Sequence, residues 1–170
     1  AIVWILKSDN NSDIKRSAVP IASIKTTTAI EQNLTHVSNE SVQNEPKYAD
    51  LIGEIDEFFV QNLAHLEQMG VKKVFLDVGI GFGKSAADNL FLIKHLEHFL
   101  RFEKPLFVGA SRKSLIGVYT GESVENRLSG TLFLHLKAFE NGAQIIRAHD
   151  VKEHKQMFLM QEALDSINIW

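Results

Sequence analysis

Residues 75–84 read FLDVGIGFGK: a short apolar strand that contains an aspartate runs into a turn with three glycines. Two later stretches repeat this design, LFVGASRKS at residues 106–114 and QIIRAHD at residues 144–150. Each begins as an apolar strand, ends in glycine or charged residues, and is followed by a helical pattern. In repeated strand–loop–helix proteins, the carboxyl ends of the strands converge on one face, where binding groups collect. The three stretches therefore predict such a face in this chain.

Four charged or titratable side chains are expected at that face: Asp77, Lys113, Arg147 and His149. A carboxylate at the end of a buried strand is costly unless donors satisfy it, and the N–H donors of an amino-pyrimidine edge would do so. Arg147 and His149 alternate along one strand end, so their side chains share a face. Arginine with histidine is a suitable clamp for a diphosphate. We therefore predict a site for a polar, phosphorylated small molecule.

Structural interpretations of the same residues stay open. The glycine-rich turn matches neither the dinucleotide fingerprint nor the phosphate loop, and as glycines alone it fits a tight strand-to-helix loop equally well. Two cations at a helix start are disfavoured by the helix dipole, which favours a binding role for residues 111–114. Arg127 and Thr131, one helical turn apart, are expected to brace the site. Most other histidines are interpreted as surface or filler residues, because their spacing matches no metal motif; they are His36, His65, His95, His98, His135 and His154.

The fold class follows from the alternation of strands and helices. Helices are predicted over residues 46–70, 90–100 and 123–141, and from Asp150 onward with Glu153 in capping-box position. Residues 91–100 are expected to be core, and residues 128, 132, 136 and 139 to form the apolar face of the third helix. Strands are predicted at 2–6, 21–24, 71–77, 106–109 and 144–148. This order implies parallel strands with right-handed crossovers. A barrel and an open doubly wound sheet both fit, although a barrel typically needs about 250 residues and the chain has 170.

Composition excludes several classes of protein. A net charge of −3 argues against a nucleic-acid-binding protein. The chain has no cysteine, which excludes disulfides and thiolate zinc sites and fits a reducing cytoplasm. No stretch is long and apolar enough for a transmembrane helix, and residues 1–6 are too short for a signal peptide. A single compact domain in the cytoplasm, without membrane or nucleic-acid partners, is expected.

At these residues the sequence resembles the dihydropteroate synthase family of the folate pathway. That family carries the motifs Asp-Pro-Gly-Ile-Gly-Phe-Gly-Lys, Ser-Arg-Lys-Ser and Arg-Val-His-Asp-Val in this order. They correspond here to residues 77–84, with Val78 in place of proline, 111–114 and 147–151. Residues 43–48 and 127–131 also resemble the family. The match covers residues 45–170 well and residues 1–44 poorly.

The resemblance implies an α/β fold, namely a (β/α)8 TIM barrel. The N-terminal half of this barrel would be incompletely represented in the chain. Residues 1–170 would form one pterin-binding domain. The resemblance also implies condensation of 4-aminobenzoate with 6-hydroxymethyl-7,8-dihydropterin diphosphate, assisted by Mg²⁺ with unknown ligands, in a homodimer. The resemblance assigns Asp77 and Lys113 to the pterin and to catalysis, and Arg147 and His149 to the diphosphate. The 4-aminobenzoate is assigned to two further residues, Ser114 and Phe82.

The N-terminal part departs from the family. Lys7 stands where the family has a metal-linked asparagine, and Lys25 replaces a pterin-binding aspartate. The weak matches to the family in residues 2–45 keep the order that they have in the family. We therefore expect that this part joins separated segments of a longer barrel. The alternative is a deletion of the N-terminal half of the barrel. The two lysines favour an alternative, a non-catalytic pterin- or phosphate-binding barrel. A pterin-binding methyltransferase barrel has less support, since the Ser-Arg-Lys and Arg-x-His motifs belong to the synthase.

Overall fold

The computed structural model of the chain describes residues 2–5 and 49–167. The predicted joins within residues 6–45, the strand expected at 21–24, Lys7, Lys25 and His36 lie outside the described residues. In chain order, the elements are β1 (Ile2–Ile5), α1 (Leu51–Gln68), β2 (Val74–Asp77), α2 (Ala86–Lys94), a 3₁₀ helix (Leu96–Phe102), β3 (Leu106–Val108), α3 (Ser114–Thr120), a 3₁₀ turn (Val124–Asn126), α4 (Leu128–Glu140), β4 (Ala143–Ile146) and α5 (Val151–Asp165).

The described strands form one sheet in the order β1-β2-β3-β4. Strands β2, β3 and β4 are parallel, as the alternation of strands and helices predicts. Strand β1 runs antiparallel to β2, with Ile2 opposite Asp77 and Ile5 opposite Val74. It thereby pairs backbone groups along the edge of β2 that would otherwise be exposed. The carboxyl ends of the three parallel strands lie side by side.

Helix α1 lies within the helix predicted over residues 46–70. It begins at Leu51 because the Asp50 carboxylate accepts a hydrogen bond from the Gly53 amide at 2.9 Å, which satisfies a helix N-terminal donor. It ends just before Gly70, as predicted, and Gly70 has a positive φ of 72°. The buried face packs on the sheet and on the 3₁₀ helix, where the rings of Phe59 and Phe99 meet edge to face at 5.7 Å. The buried residues of this helix are Leu51, Ile55, Phe59 and Leu66.

The second predicted helix is divided into two elements at His95. Helix α2 starts earlier than predicted because Ser85 and Asp88 form a capping box. The prediction of a core stripe from Phe91 to Leu100 is wrong at both ends, since Phe91 is 44% and Leu100 39% exposed. Phe91 lies on the exposed face of α2, opposite the buried Leu92 and Ile93, and Leu100 lies in the 3₁₀ helix.

The buried face of α4 differs from the predicted one. The prediction places residues 128, 132, 136 and 139 inward, whereas Phe139 is 43% exposed. The side chains buried on this helix are Thr131, Leu134, His135 and Ala138, a stripe that is half polar. A polar stripe can be buried because each polar group has a hydrogen-bond partner. Residues 114–120 form a short helix, α3, that is separate from α4.

The capping box predicted for Asp150 is wrong. Asp150 is the residue before α5, but its side chain makes no capping hydrogen bond, because its carboxylate binds a guanidinium from another loop. Helix α4 packs on β4 between α2 and α5. Among the helices of residues 49–167, none has both the length and the apolar character needed to cross a lipid bilayer.

Candidate active site

The carboxyl end of β2 presents a buried carboxylate. Asp77 is the last residue of the strand and is only 6% exposed. Its Oδ1 accepts a hydrogen bond from the Gly79 amide at 2.8 Å, so the first residue of the turn orients the carboxylate. A buried charge held in this way is costly unless it has partners, and it gives a binding surface two acceptor oxygens.

The glycine-rich turn brings the backbone against Lys113. Gly81 has a φ of +80°, and a Cβ placed on it would lie 2.6 Å from Lys113 Cδ and 3.2 Å from its Nζ. Only glycine tolerates both the positive φ and this close approach. The Lys113 ammonium lies 4.1 Å from the centroid of the Phe82 ring, a cation–π contact. The Phe82 ring is 54% exposed, so its other face is open to a ligand.

Asn89 and Lys84 hold this turn in place. Asn89 is buried on α2, and its Oδ1 accepts from the Gly81 amide at 2.6 Å while its Nδ2 donates to the Ser85 carbonyl at 2.7 Å. Lys84 Nζ donates to the Gly79 carbonyl at 3.1 Å. Burial lowers the pKa of Lys84, and the charge of Asp77 opposes this. The sequence analysis did not single out Asn89, although an asparagine on an otherwise apolar helix face was a usable signal.

Lys113, Asp77 and Arg147 lie close enough to influence one another's charge. Burial lowers the pKa of Lys113, the Arg147 guanidinium lowers it further, and Asp77 opposes both. Arg147 lies across the end of β3, where a Cβ on Gly109 would be 3.1 Å from Arg147 Nε. The structure thus places three of the predicted site residues at the ends of three neighbouring strands.

His149 and Ser114 occupy the rim of this cluster. His149 Nδ1 is 2.8 Å from Ser111 Oγ, and its backbone N–H donates to the same oxygen at 3.3 Å. Arg147 and His149 are both exposed, as is Ser114 at the start of α3. Since Ser111 engages Nδ1, the other ring nitrogen of His149 is the one that a ligand could reach.

Arg112 links two loops of the site to each other and does not point to the ligand-binding side chains. Its guanidinium donates twice to the Asp150 carboxylate, from Nη2 at 2.6 Å and Nε at 3.2 Å. This bond lowers the pKa of Asp150. The Arg112 backbone has an unusual φ of +54°. The hydrogen bonds of this residue hold the backbone in that unfavourable conformation. The Arg112 amide donates to Thr131 Oγ1 at 2.9 Å, and Arg127 Nη1 donates to the Arg112 carbonyl at 3.2 Å, so Thr131 and Arg127 brace this loop as predicted.

Two buried histidines lie directly beneath these loops. His135 Nε2 accepts from the Ala110 amide at 2.8 Å, and His135 Nδ1 lies 2.7 Å from His154 Nε2. His154 Nδ1 lies 2.7 Å from the Asp150 carbonyl oxygen. Their interpretation as surface or filler residues is wrong, since both are almost wholly buried. A detectable signal was that His135 lies one helical turn after Thr131, which was expected to brace the site.

The described residues offer no metal centre. Within residues 2–5 and 49–167, no group of three His, Asp or Glu side chains could hold a metal ion. The position that the resemblance links to a metal, Lys7, lies outside the described residues. Among the described residues, no set of side chains is placed to hold Mg²⁺, and Mg²⁺ stays a prediction of the resemblance.

Known proteins are similar in sequence to most of this chain. A model of the pterin binding enzyme family matches residues 13–149. The bifunctional dihydropteroate synthase/dihydropteroate reductase of Helicobacter pylori is 46% identical over 131 residues, which cover 77% of this chain and 34% of that protein. The dihydropteroate synthase of Escherichia coli is 41% identical over 126 residues, covering 73% of this chain and 45% of that protein. The chain thus spans between a third and a half of the length of these curated relatives.

Solved structures agree with the sequence comparison. Dihydropteroate synthase from Stenotrophomonas maltophilia, with imidazole bound in its active site, has a TM-score of 0.71 at 34% identity, over 75% of this chain and 49% of that one. The Xanthomonas albilineans enzyme with 4-aminobenzoic acid has a TM-score of 0.70 at 33% identity, over 76% and 48%. Its complex with 7,8-dihydropteroate has a TM-score of 0.69 at 34% identity, over 74% and 49%. The predicted fold class, a (β/α)8 barrel incompletely represented in this chain, is confirmed.

Proposed function

Because the chain belongs to the pterin binding enzyme family, we propose that it carries the C-terminal part of a dihydropteroate synthase site. The reaction joins 4-aminobenzoate to 6-hydroxymethyl-7,8-dihydropterin diphosphate and releases 7,8-dihydropteroate and diphosphate. The names of the relatives support this proposal, as do the 4-aminobenzoic acid and the 7,8-dihydropteroate bound to the Xanthomonas albilineans enzyme. A cytoplasmic homodimer, built from one pterin-binding domain over residues 1–170, remains a prediction.

The observation that carries the proposal is the grouping of Asp77, Lys113 and Arg147 at three neighbouring strand ends. Asp77 would accept hydrogen bonds from the amino and ring N–H groups of the pterin, which present adjacent donors to a carboxylate. Lys113 would donate to the pterin carbonyl and a ring nitrogen. Lys113 lies on the Phe82 ring and is influenced by the charge of Asp77, so a donor and an acceptor for the pterin are close to each other.

Arg147 and His149 would hold the diphosphate. Both side chains are exposed and follow the same strand. Because Arg147 lowers the pKa of Lys113, the two cations disfavour each other, and a polyanion bound between them would relieve that repulsion. Charged hydrogen bonds of this kind contribute about 1.5–3 kcal/mol each.

Ser114 and Phe82 would receive 4-aminobenzoate. The Ser114 hydroxyl would donate to the carboxylate, and the exposed face of the Phe82 ring would pack on the aromatic ring. Both side chains are exposed and adjoin Lys113, one through the chain and one through the cation–π contact. This arrangement would place the arylamine beside the pterin.

The chemistry requires no protein nucleophile. As the C–O bond to diphosphate breaks, the arylamine nitrogen forms a C–N bond to the same carbon, and the amine then loses a proton. Arg147 and His149 would stabilise the charge that develops on the departing diphosphate. Positioning of the two substrates accounts for the rest of the rate enhancement.

The second candidate is a non-catalytic pterin- or phosphate-binding protein. It rests on Lys7 and Lys25, which place cations where the family has an asparagine and an aspartate. Such a protein would bind diphosphate and pterin but form no dihydropteroate. Product formation therefore separates the two candidates.

The test is isothermal titration of the full chain with diphosphate and then with the dihydropterin diphosphate, followed by a product assay with 4-aminobenzoate. We expect saturable binding of both ligands, lost in Asp77→Asn for the pterin only. Arg101→Ala removes an equal charge from a partly buried ion pair with Asp56 and is the matched control for Arg147→Ala. Binding of neither ligand, or equal effects of the two arginine variants, would contradict the proposal.

A further inference from the structure

A chain of hydrogen bonds runs through the core from the end of β3 to the start of α5. It begins at the Ala110 amide, passes through the rings of His135 and His154, and ends at the Asp150 carbonyl. Each of the three links is 2.7–2.8 Å long. His135 is 0% and His154 5% exposed, so water does not interrupt the chain.

The two backbone ends determine where the ring protons are. An amide N–H can only donate, so His135 Nε2 must accept and its proton must be on Nδ1. That proton is donated to His154 Nε2, which leaves the second ring with its proton on Nδ1 as well. A carbonyl can only accept, so the last link requires this same tautomer. Both rings are therefore neutral, and every donor in the chain meets an acceptor.

The chain joins the two loops that carry the proposed ligand-binding cations. Ala110 precedes the loop with Lys113, and Asp150 directly follows Arg147 and His149. The loops are also linked near the surface by Arg112 and the Asp150 carboxylate. The buried link is independent of that ion pair, because it uses the Asp150 backbone carbonyl and not its side chain.

We propose that His135 and His154 are positioning residues that set the spacing between these two loops and thereby the affinity for the diphosphate group. The inference rests on the proposed function for its ligand. Neither ring touches the mouth of the site, so their effect passes through the Ala110 and Asp150 backbone. A purely structural pair would contribute stability but would leave the affinity of the folded protein unchanged.

Surrounding charges are consistent with a neutral pair. Burial, with a smaller contribution from His154, lowers the pKa of His135 to about 4. The other charged groups near the pair are Asp150 and Arg112, already bonded to each other, and His149 at the rim. Protonation of His135 would place an Nε2–H against the Ala110 amide and break the first link.

The test compares three variants of the full chain with the wild type. His135→Leu removes both hydrogen bonds at similar volume, whereas His135→Gln keeps an acceptor and a donor. His98→Leu is the matched control, since it removes a partly buried histidine that bonds Asp56 instead. The measurements are the diphosphate dissociation constant by calorimetry, the thermal midpoint, and hydrogen exchange at the Ala110 amide.

In His135→Leu we expect roughly three- to thirtyfold weaker diphosphate binding and faster Ala110 exchange, with most of the affinity restored in His135→Gln. His98→Leu should lower the midpoint without changing the affinity. Equal affinities in His135→Leu and His98→Leu overturn the proposal. If His135→Leu does not fold, His154→Phe takes its place, because it removes the two links made by His154 and leaves the link between Ala110 and His135. Unchanged diphosphate affinity in His154→Phe would likewise overturn the proposal.

The experiment distinguishes a failure of the proposed function from a failure of the inferred link between the loops. If the wild type binds no diphosphate, the assigned ligand is wrong, and hydrogen exchange decides whether the loops are linked. Faster Ala110 exchange in His154→Phe, a residue that does not touch Ala110, supports the link. Unchanged exchange overturns it.

Discussion

Replacing Gly81 with alanine tests the close contact between the glycine-rich turn and Lys113. The left-handed backbone at φ +80° costs a residue with a Cβ roughly 1–2 kcal/mol. The lower entropy of the unfolded chain offsets about 0.4–1 kcal/mol of that cost, so a net stability loss of about 1 kcal/mol is expected. In addition, the new Cβ would lie 2.6 Å from Lys113 Cδ, and the lysine must move off the Phe82 ring.

The displaced ammonium would no longer reach the pterin. Losing one charged hydrogen bond costs about 1.5–3 kcal/mol, which is roughly a 10- to 150-fold loss of pterin affinity. Gly70→Ala is the matched control, because Gly70 has a φ of +72° but no atom within 4 Å of its Cβ position. It lies before β2, at the opposite end of the strands from the site. Urea unfolding measures the stability loss, and calorimetry with the dihydropterin diphosphate measures the affinity.

Both variants should therefore lose similar stability, and only Gly81→Ala should lose affinity. If Gly81→Ala binds the pterin as tightly as Gly70→Ala, the lysine has no role in pterin binding and the reasoning fails. A stability loss confined to Gly81→Ala would refute the estimate of backbone strain.

Three further results are expected. Arg147→Ala or His149→Ala should weaken diphosphate binding by about 1.5–3 kcal/mol per lost charged bond, measured by calorimetry; unchanged affinity in both would remove them from the site. Asp77→Asn replaces one acceptor oxygen with a donor and should abolish pterin binding with a native melting curve, whereas normal affinity would refute its role. Because burial lowers the pKa of His135 from 6.5 to about 4, the unfolded chain takes up this proton first as the pH falls. At most about 3 kcal/mol of stability should therefore be lost between pH 6.5 and 4. Urea unfolding should show this loss reduced in His135→Gln, and an identical pH dependence would contradict it.

The order of strands and helices was predictable because it depends on local patterns. The apolar run before Asp77 and the helical spacing from Leu51 to Leu66 each identify one element without reference to the rest of the chain. The face of α4 was not predictable in this way. Its leucines follow a helical spacing, yet the residues that are buried include Thr131 and His135, because hydrogen bonds from Arg112 and Ala110 satisfy them.

The contrast between local patterns and tertiary contacts also applies to two predictions made for residues 147–150. Arg147 and His149 were expected at a strand end, and the apolar run before them was enough to predict this, since β4 ends at Ile146. Asp150 was predicted to cap its own helix, which is the nearest use for its carboxylate, but it binds Arg112 from a loop 38 residues away in sequence.

The sequence by itself determined the elements, the family and the set of polar residues that gather at the strand ends, since each depends on residue type and spacing along the chain. Only the tertiary structure decided which polar groups satisfy one another. A buried donor or acceptor must find a partner wherever the folded chain offers one, and the partners of His135, His154 and Asp150 come from different strand–helix units. The link between the two loops of the site arises from those partnerships.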